Sequence, residues 1–200
     1  MADIVLTEEA VAGPDDAALI AALGQRSIAL VGMMGSGKSS IGRRLASRLA
    51  IPFVDADTEI EQAAGMSIAE IFERHGEPYF RAGEARVIAR LLDHGPQVLA
   101  TGGGAFMNRD TRAAVRTKGV SIWLKAELDV LMKRIKRRGD RPLLKNGDPA
   151  ATLNALIAER YPVYAEADLT VLSRDVPHEA IVDEIITTLR ARVAAPEATP

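Results

Sequence analysis

Ser27-Ile28-Ala29-Leu30-Val31 runs directly into Gly32-Met33-Met34-Gly35-Ser36-Gly37-Lys38-Ser39-Ser40. The first five residues are a short apolar run rich in strand formers. Gly32 to Ser39 fits G-x-x-x-x-G-K-[ST]. Beyond it Ile41, Leu45 and Leu49 recur at intervals of four, the apolar stripe of a helix. Strand, glycine-rich turn and helix form the setting in which this motif holds phosphate. The glycines let the chain curl so that successive N–H groups, from Gly35 through Ser36 to Gly37, point at phosphate oxygens. The helix start adds its N-terminal N–H groups at Lys38, Ser39 and Ser40. Lys38 brings a mobile positive charge to the β- and γ-phosphates. The Ser39 hydroxyl suits Mg²⁺. The reading is an ATP site.

The pattern repeats outward from there. Pro52 stops the first helix, and Phe53-Val54 starts a second strand. Residues 58–93 read as helix in pieces, with a capping box at Ser67 to Glu70 and Pro78 placed for a first turn. Strands follow at Gln97 to Thr101, Val120 to Leu124 and Leu169 to Leu172. Helices lie between and after them at Asp110 to Thr117, Leu128 to Arg138, Pro149 to Tyr164 and Pro177 to Val193. Short apolar strands alternating with helices predict an α/β fold, a five-stranded parallel sheet with helices on both faces. Ligands then belong at the carboxyl ends of the strands. Residues 1–26 read as an N-terminal extension with a short helix from Ala17 to Leu23. Residues 27–193 form the domain, 139–148 a loop, and 194–200 a frayed tail.

Composition narrows the class. The 200 residues are 48% hydrophobic and 26% charged, with a net charge of -2. That balance supports a packed core and gives no positive field for nucleic acid. There is no Cys, which removes disulfides, zinc thiolates and Cys nucleophiles. No apolar run reaches the ~20 residues of a membrane span. A cytoplasmic monomer is the expectation.

Asp55-Ala56-Asp57 follows the second strand. In an extended stretch residues two apart point the same way, so both carboxylates would face the phosphate site. One could hold Mg²⁺ and the other take a proton from a hydroxyl. The same spacing also suits a helix N-cap with first-turn charge.

The motif combines with Asp55-x-Asp57, Phe80-Arg81-x-x-Glu84, Gly102-Gly103-Gly104, Arg141-Pro142-Leu143-Leu144 and Glu159-Arg160-Tyr161, in that order. In this combination the chain resembles the shikimate kinase family. The resemblance covers residues 27–193. It implies a P-loop kinase fold of the nucleoside-monophosphate-kinase type, strand order 2-3-1-4-5, with residues 139–148 as a lid. It implies transfer from ATP with Mg²⁺ to the 3-hydroxyl of shikimate, in the biosynthesis of chorismate and aromatic amino acids. Asp57 resembles the family's base and hydroxyl ligand, and Asp55 its metal-side acid beside Ser39. Arg81 and Arg160 resemble its carboxylate clamps, a task that suits guanidinium forks. Glu84 sits one turn from Arg81 and would orient it. Gly102, Gly103 and Gly104 would let backbone approach a small polyol. Arg141 resembles the lid residue that reaches the phosphates, and Pro177 the segment that touches adenine. Arg137 or Arg138 would stack on the base. The basic run Lys133 to Arg138 is otherwise a solvated face, and His75, His94 and His178 read as structural or exposed. Phe72 and Phe80 are either plain core or walls of the acceptor pocket. A kinase for another small acceptor and a nucleotide-binding regulator are the alternatives.

Overall fold

β1 (Ser27–Val31) is buried along its whole length. It is flanked on both sides by parallel strands, β3 (Val98–Ala100) and β4 (Gly119–Lys125). That explains its unbroken apolar sequence: a parallel strand covered on both faces has no polar side to show. Ile28 and Leu30 enter one core layer, while Ala29 and Val31 enter two others on the opposite side. The computed structural model describes residues 13–138 and 148–194.

Around β1 the sheet runs β2-β3-β1-β4-β5, with β2 at Phe53–Asp55 and β5 at Leu169–Leu172. Every pairing is parallel, with Ile28 opposite Val98, Phe53 opposite Val98 and Ile122 opposite Leu169. The expected fold class and strand order are both present. The order reverses beside β1, so the loops after β1, β2 and β3 open into one crevice.

Helices close both faces. α1 (Pro14–Leu23), α2 (Lys38–Leu49) and α8 (His178–Ala194) cover one. Leu19, Leu23, Ile41, Leu45, Leu49, Ile181, Ile185 and Leu189 pack there against Ile28, Leu30 and Ile122. The opposite face takes α4 (Ile68–Leu91), α5 (Arg109–Lys118), α6 (Leu128–Arg138) and α7 (Pro149–Tyr164). Ile88, Val115, Leu131 and Leu153 are buried there. Phe80 is buried and packs on Phe72 with ring centroids 4.7 Å apart, beside Ile60 and Ile71, so both rings belong to a core cluster.

Helix boundaries follow local chemistry. Ser67 and Glu70 form the expected capping box, with Ser67 N–H donating to Glu70 Oε2 at 2.8 Å. Gly76, at φ 77° and ψ 173°, breaks α4, and Pro78 resumes it. α3 (Ala56–Ala64) differs from the sequence reading in starting immediately after β2. Asp55 is its N-cap and accepts from Asp57 N–H at 3.2 Å. Asp57 therefore lies in a helical turn and not in extended chain, because a strand-end aspartate followed by helix formers caps at once.

The extension is tied into the body. Asp16, 3% exposed at its side chain, accepts from Arg48 Nε at 2.8 Å and from Arg190 Nη2 at 2.7 Å. Its carboxylate joins α1 to α2 and α8. Asp16→Ala removes two charge-assisted hydrogen bonds. It should lower the unfolding free energy by about 2 kcal/mol. A urea midpoint equal to wild type would show that Leu19 and Leu23 alone hold α1 in place.

Candidate active site

The loop from Gly32 to Gly37 borders a cavity of about 290 Å³ at the crevice. Gly32, Gly35 and Gly37 have φ of 138°, 80° and 98°, conformations open to glycine and rarely to other residues. Gly35, Gly37, Lys38, Ser39 and Ser40 line the cavity. Ser36 lies behind it, fully buried, with its N–H donated to Met33 O at 3.1 Å. Lys38 is folded into the loop, its ammonium donating to Gly32 O at 2.8 Å and Met33 O at 2.9 Å. One wall of the site thus carries the Lys38 ammonium and the N-terminal N–H groups of α2, a seat for polyphosphate.

Asp55 and Asp57 line the same cavity. Ser39 Oγ donates to Asp55 Oδ2 at 2.7 Å. A hydroxyl and a carboxylate side by side, both hard oxygen donors, suit Mg²⁺. That ion accepts one or two protein oxygens and fills its shell with water and phosphate. No cluster of three or more His, Cys, Asp or Glu able to hold a metal occurs among the described residues.

The loop after β3 forms the other wall. Gly103 lines the cavity with Thr101, whose hydroxyl donates to Leu30 O at 3.0 Å. The three glycines sit under a ring of charged side chains. A Cβ on Gly102 would collide with Glu84 Oε1 and lie 3.0 Å from Asp57 Oδ1. One on Gly103 would lie 3.3 Å from Met34 N and 3.9 Å from Arg160 Nη1. One on Gly104 would lie 2.6 Å from Arg81 Nη2. Asp57, Arg81 and Arg160 come from α3, α4 and α7, and they meet over this one turn of chain. At Gly102 and Gly104 a Cβ would crowd those charged side chains, and glycine leaves them room.

These side chains are fixed from behind. Arg81 Nη1 donates to Glu84 Oε2 at 2.7 Å, and its Nε and Nη2 reach Glu77 Oε1 at 3.1 and 3.0 Å. Arg160, 9% exposed, donates to Gly103 O at 3.1 Å. Tyr164, one turn further along α7, donates its hydroxyl to the same carbonyl. Burial pushes the Tyr164 hydroxyl up to about 12, so it stays a donor.

At the far end of the cavity lie Arg134, Asp175, Val176 and His178. These are the neighbours of Pro177, which is itself absent from the lining. Burial lowers His178 first, and the Arg44 and Arg134 charges lower it further, so its ring is a neutral wall. Arg141 and the lid lie outside the described residues, as do the side chains of Arg137 and Arg138.

Known proteins resemble this chain in sequence and fold. The family model for shikimate kinase matches residues 34–190. Shikimate kinase of Rhodopseudomonas palustris is 60% identical over 200 residues, all of this chain and 98% of its own length. That of Bradyrhizobium diazoefficiens is 66% identical over 183 residues, 92% of this chain and 88% of its own. The solved shikimate kinase from Acinetobacter baumannii in complex with shikimate superposes with a TM-score of 0.83 at 33% identity. It covers 88% of this chain and 99% of that one.

The chain belongs to the shikimate kinase family.

The sequence did not mark Arg134, Tyr164 or His178, which the structure places at the site. Tyr164 carried a usable signal, standing four residues after Arg160 on one helix face. Arg134 was hidden in a basic run that reads as solvated. Glu84, orienting Arg81 as expected, is 1% exposed. Burial raises it above the usual carboxylate range, and Arg81 pulls it partway back. Burial also acts to lower Arg81, but the hydrogen bonds it donates to Glu84 and Glu77, with their charges, outweigh it, so the guanidinium stays charged. A raised folded-state value favours the protonated carboxyl. Its stabilising contribution is complete below the unfolded value near 4.5 and is lost as pH rises through the folded one. The stability difference between wild type and Glu84→Gln should therefore shrink as pH rises above ~4.5 and through the folded-state value, and then level off. Urea unfolding of both proteins across that range checks the sign. A difference that grew with pH would contradict it.

Proposed function

We propose that this shikimate kinase binds ATP along the loop from Gly35 to Ser40 and shikimate over Gly102 to Gly104, and joins them by in-line phosphoryl transfer. The reaction is shikimate plus ATP giving shikimate 3-phosphate plus ADP. The observation that carries the reading is the meeting of Asp57, Arg81 and Arg160 over one glycine turn, beside Met34 of the phosphate loop.

Arg160 and Arg81 pair with the ring carboxylate. A planar fork on a planar anion fixes both place and orientation, and its cost in ordering is reduced because Glu84 and Gly103 O already hold the forks. The opposite edge of the ring then presents its 3-hydroxyl to Asp57. Asp57 accepts the hydroxyl hydrogen bond and takes the proton as the oxygen bonds to the γ-phosphorus. The bond from that phosphorus to the bridging oxygen of ADP breaks on the far side. Negative charge spreads over the transferring group, and Lys38 and the α2 N-terminus offset it in a site shielded from water. Ser39 and Asp55 would hold Mg²⁺, which would supply further positive charge against that of the transferring group. Arg141 would cover the phosphates from the lid, excluding water as a competing acceptor. The segment about Pro177 and Arg134 would receive adenine.

Two variants separate the roles. Asp57→Asn should cut kcat by roughly 100-fold or more, the usual worth of a placed proton acceptor, while ADP affinity stays near wild type. The assay is ADP release with mass detection of the phosphorylated product. A variant with wild-type turnover would remove Asp57 from the chemistry. Arg160→Lys keeps the charge and loses the fork, so the KM for shikimate should rise about tenfold. Equal KM values would show the carboxylate bound elsewhere.

A further inference from the structure

A loop that turns its N–H groups towards an anion must turn its carbonyls away from it, and buried carbonyls need donors. Gly32 O and Met33 O are served by Lys38. Lys38 is also the group expected to engage phosphate, so it is not a fixed tie. Gly35 O and Ser36 O are served from the opposite side. Ser173, 1% exposed at the end of β5, donates its hydroxyl to Ser36 O at 2.8 Å. The Ser173 hydroxyl oxygen in turn accepts from Arg134 Nη1 at 2.8 Å. Arg134 itself stands at 3.3 Å from Ser36 O and 3.4 Å from Gly35 O, too long for its hold on the loop to rival that of Ser173. Ser173 N–H donates to Lys125 O at 2.6 Å, which locks its backbone to β4.

We infer that Ser173 is a positioning residue for phosphate binding: its hydroxyl fixes the rear of the phosphate loop to the sheet and orients Arg134. It lines no part of the cavity and would touch neither substrate. The segment it opens continues as Arg174, Asp175 and Val176, and Arg174 O accepts from Arg134 Nη2 at 2.6 Å. One hydroxyl therefore joins the loop that holds phosphate to the wall at the other end of the nucleotide cavity. This inference rests on the reading of that cavity as the ATP site.

The test uses the full chain with Ser173→Ala, Ser173→Thr and Ser173→Cys. Steady-state kinetics give kcat and both KM values, and calorimetry gives the affinity for inorganic triphosphate, a probe without a base. Ser173→Ala should raise the KM for ATP and weaken triphosphate binding about tenfold, the worth of one lost hydrogen bond to a buried carbonyl. The KM for shikimate should stay within about twofold. Ser173→Thr, which keeps the hydroxyl, should return both values towards wild type. Ser173→Cys keeps the volume with a weaker donor and should fall between them, which preserves the test if the alanine variant folds poorly. Triphosphate binding lost in Lys38→Ala but unchanged in Ser173→Ala and Ser173→Cys would overturn the role of Ser173 alone. So would a rise in the two KM values by equal factors. Wild-type triphosphate binding that survived Lys38→Ala would instead overturn the nucleotide-site reading.

Discussion

The position of β1 between β3 and β4 sets the geometry of everything else. With β2 beyond β3, the carboxyl ends of three parallel strands stand next to one another. The phosphate loop leaves β1, Asp55 ends β2, and the glycine turn follows β3. These three carry donor cradle, acid and acceptor floor, and no long excursion of chain is needed to unite them. A parallel sheet achieves this only if both of its faces are buried. The apolar layers under α1, α2 and α8 on one side, and α4 to α7 on the other, are therefore conditions for the site as well as for stability.

Charge is assembled before ligand arrives. Glu84, Lys38 and Arg160 are buried or nearly so, and each has protein partners. Burying such groups costs more than an isolated pair returns, and the folded core meets that cost. In exchange the guanidinium forks do not have to be gathered at the moment of binding. Electrostatic stabilisation then requires little reorganisation, the condition under which it contributes most to phosphoryl transfer. The raised Glu84 shows the strain in the arrangement: the carboxylate that holds Arg81 sits where burial disfavours its charge.

What the sequence made legible was what short range decides. The apolar strands and the capping box at Ser67 are each contained in a few residues and formed as read, while the phosphate loop follows its strand as read except that Ser36 N–H turns to Met33 O. The acidic pair left two conformations open, an extended strand end and a helix N-cap, and the structure takes the N-cap. Alternation along a strand pointed both carboxylates one way, yet Asp55 caps α3 and Asp57 sits in its first turn. Both still line the cavity, because the N-terminus of that helix opens there. Long-range partnerships were not legible. Nothing near Asp16 indicates that an acid in a first turn will be buried between Arg48 and Arg190, far along the chain. Ser173 carried no signal in the sequence, since its partner lies 137 residues away.

The two halves of the site are built by one device. On the acceptor side, Gly103 O is held by Arg160 and Tyr164. On the nucleotide side, Ser36 O is held by Ser173. In each case a glycine-rich turn has no side chains with which to stiffen itself, and a distant helix or strand end stiffens it through a carbonyl. The flexibility that lets backbone approach a ligand closely would otherwise be lost as entropy on binding. Tying the carbonyl transfers that loss to folding, where the whole core shares it, and leaves the ligand-facing side of the turn free. Glycine at the surface of the site and hydrogen bonds behind it are thus a single feature, and neither would serve without the other.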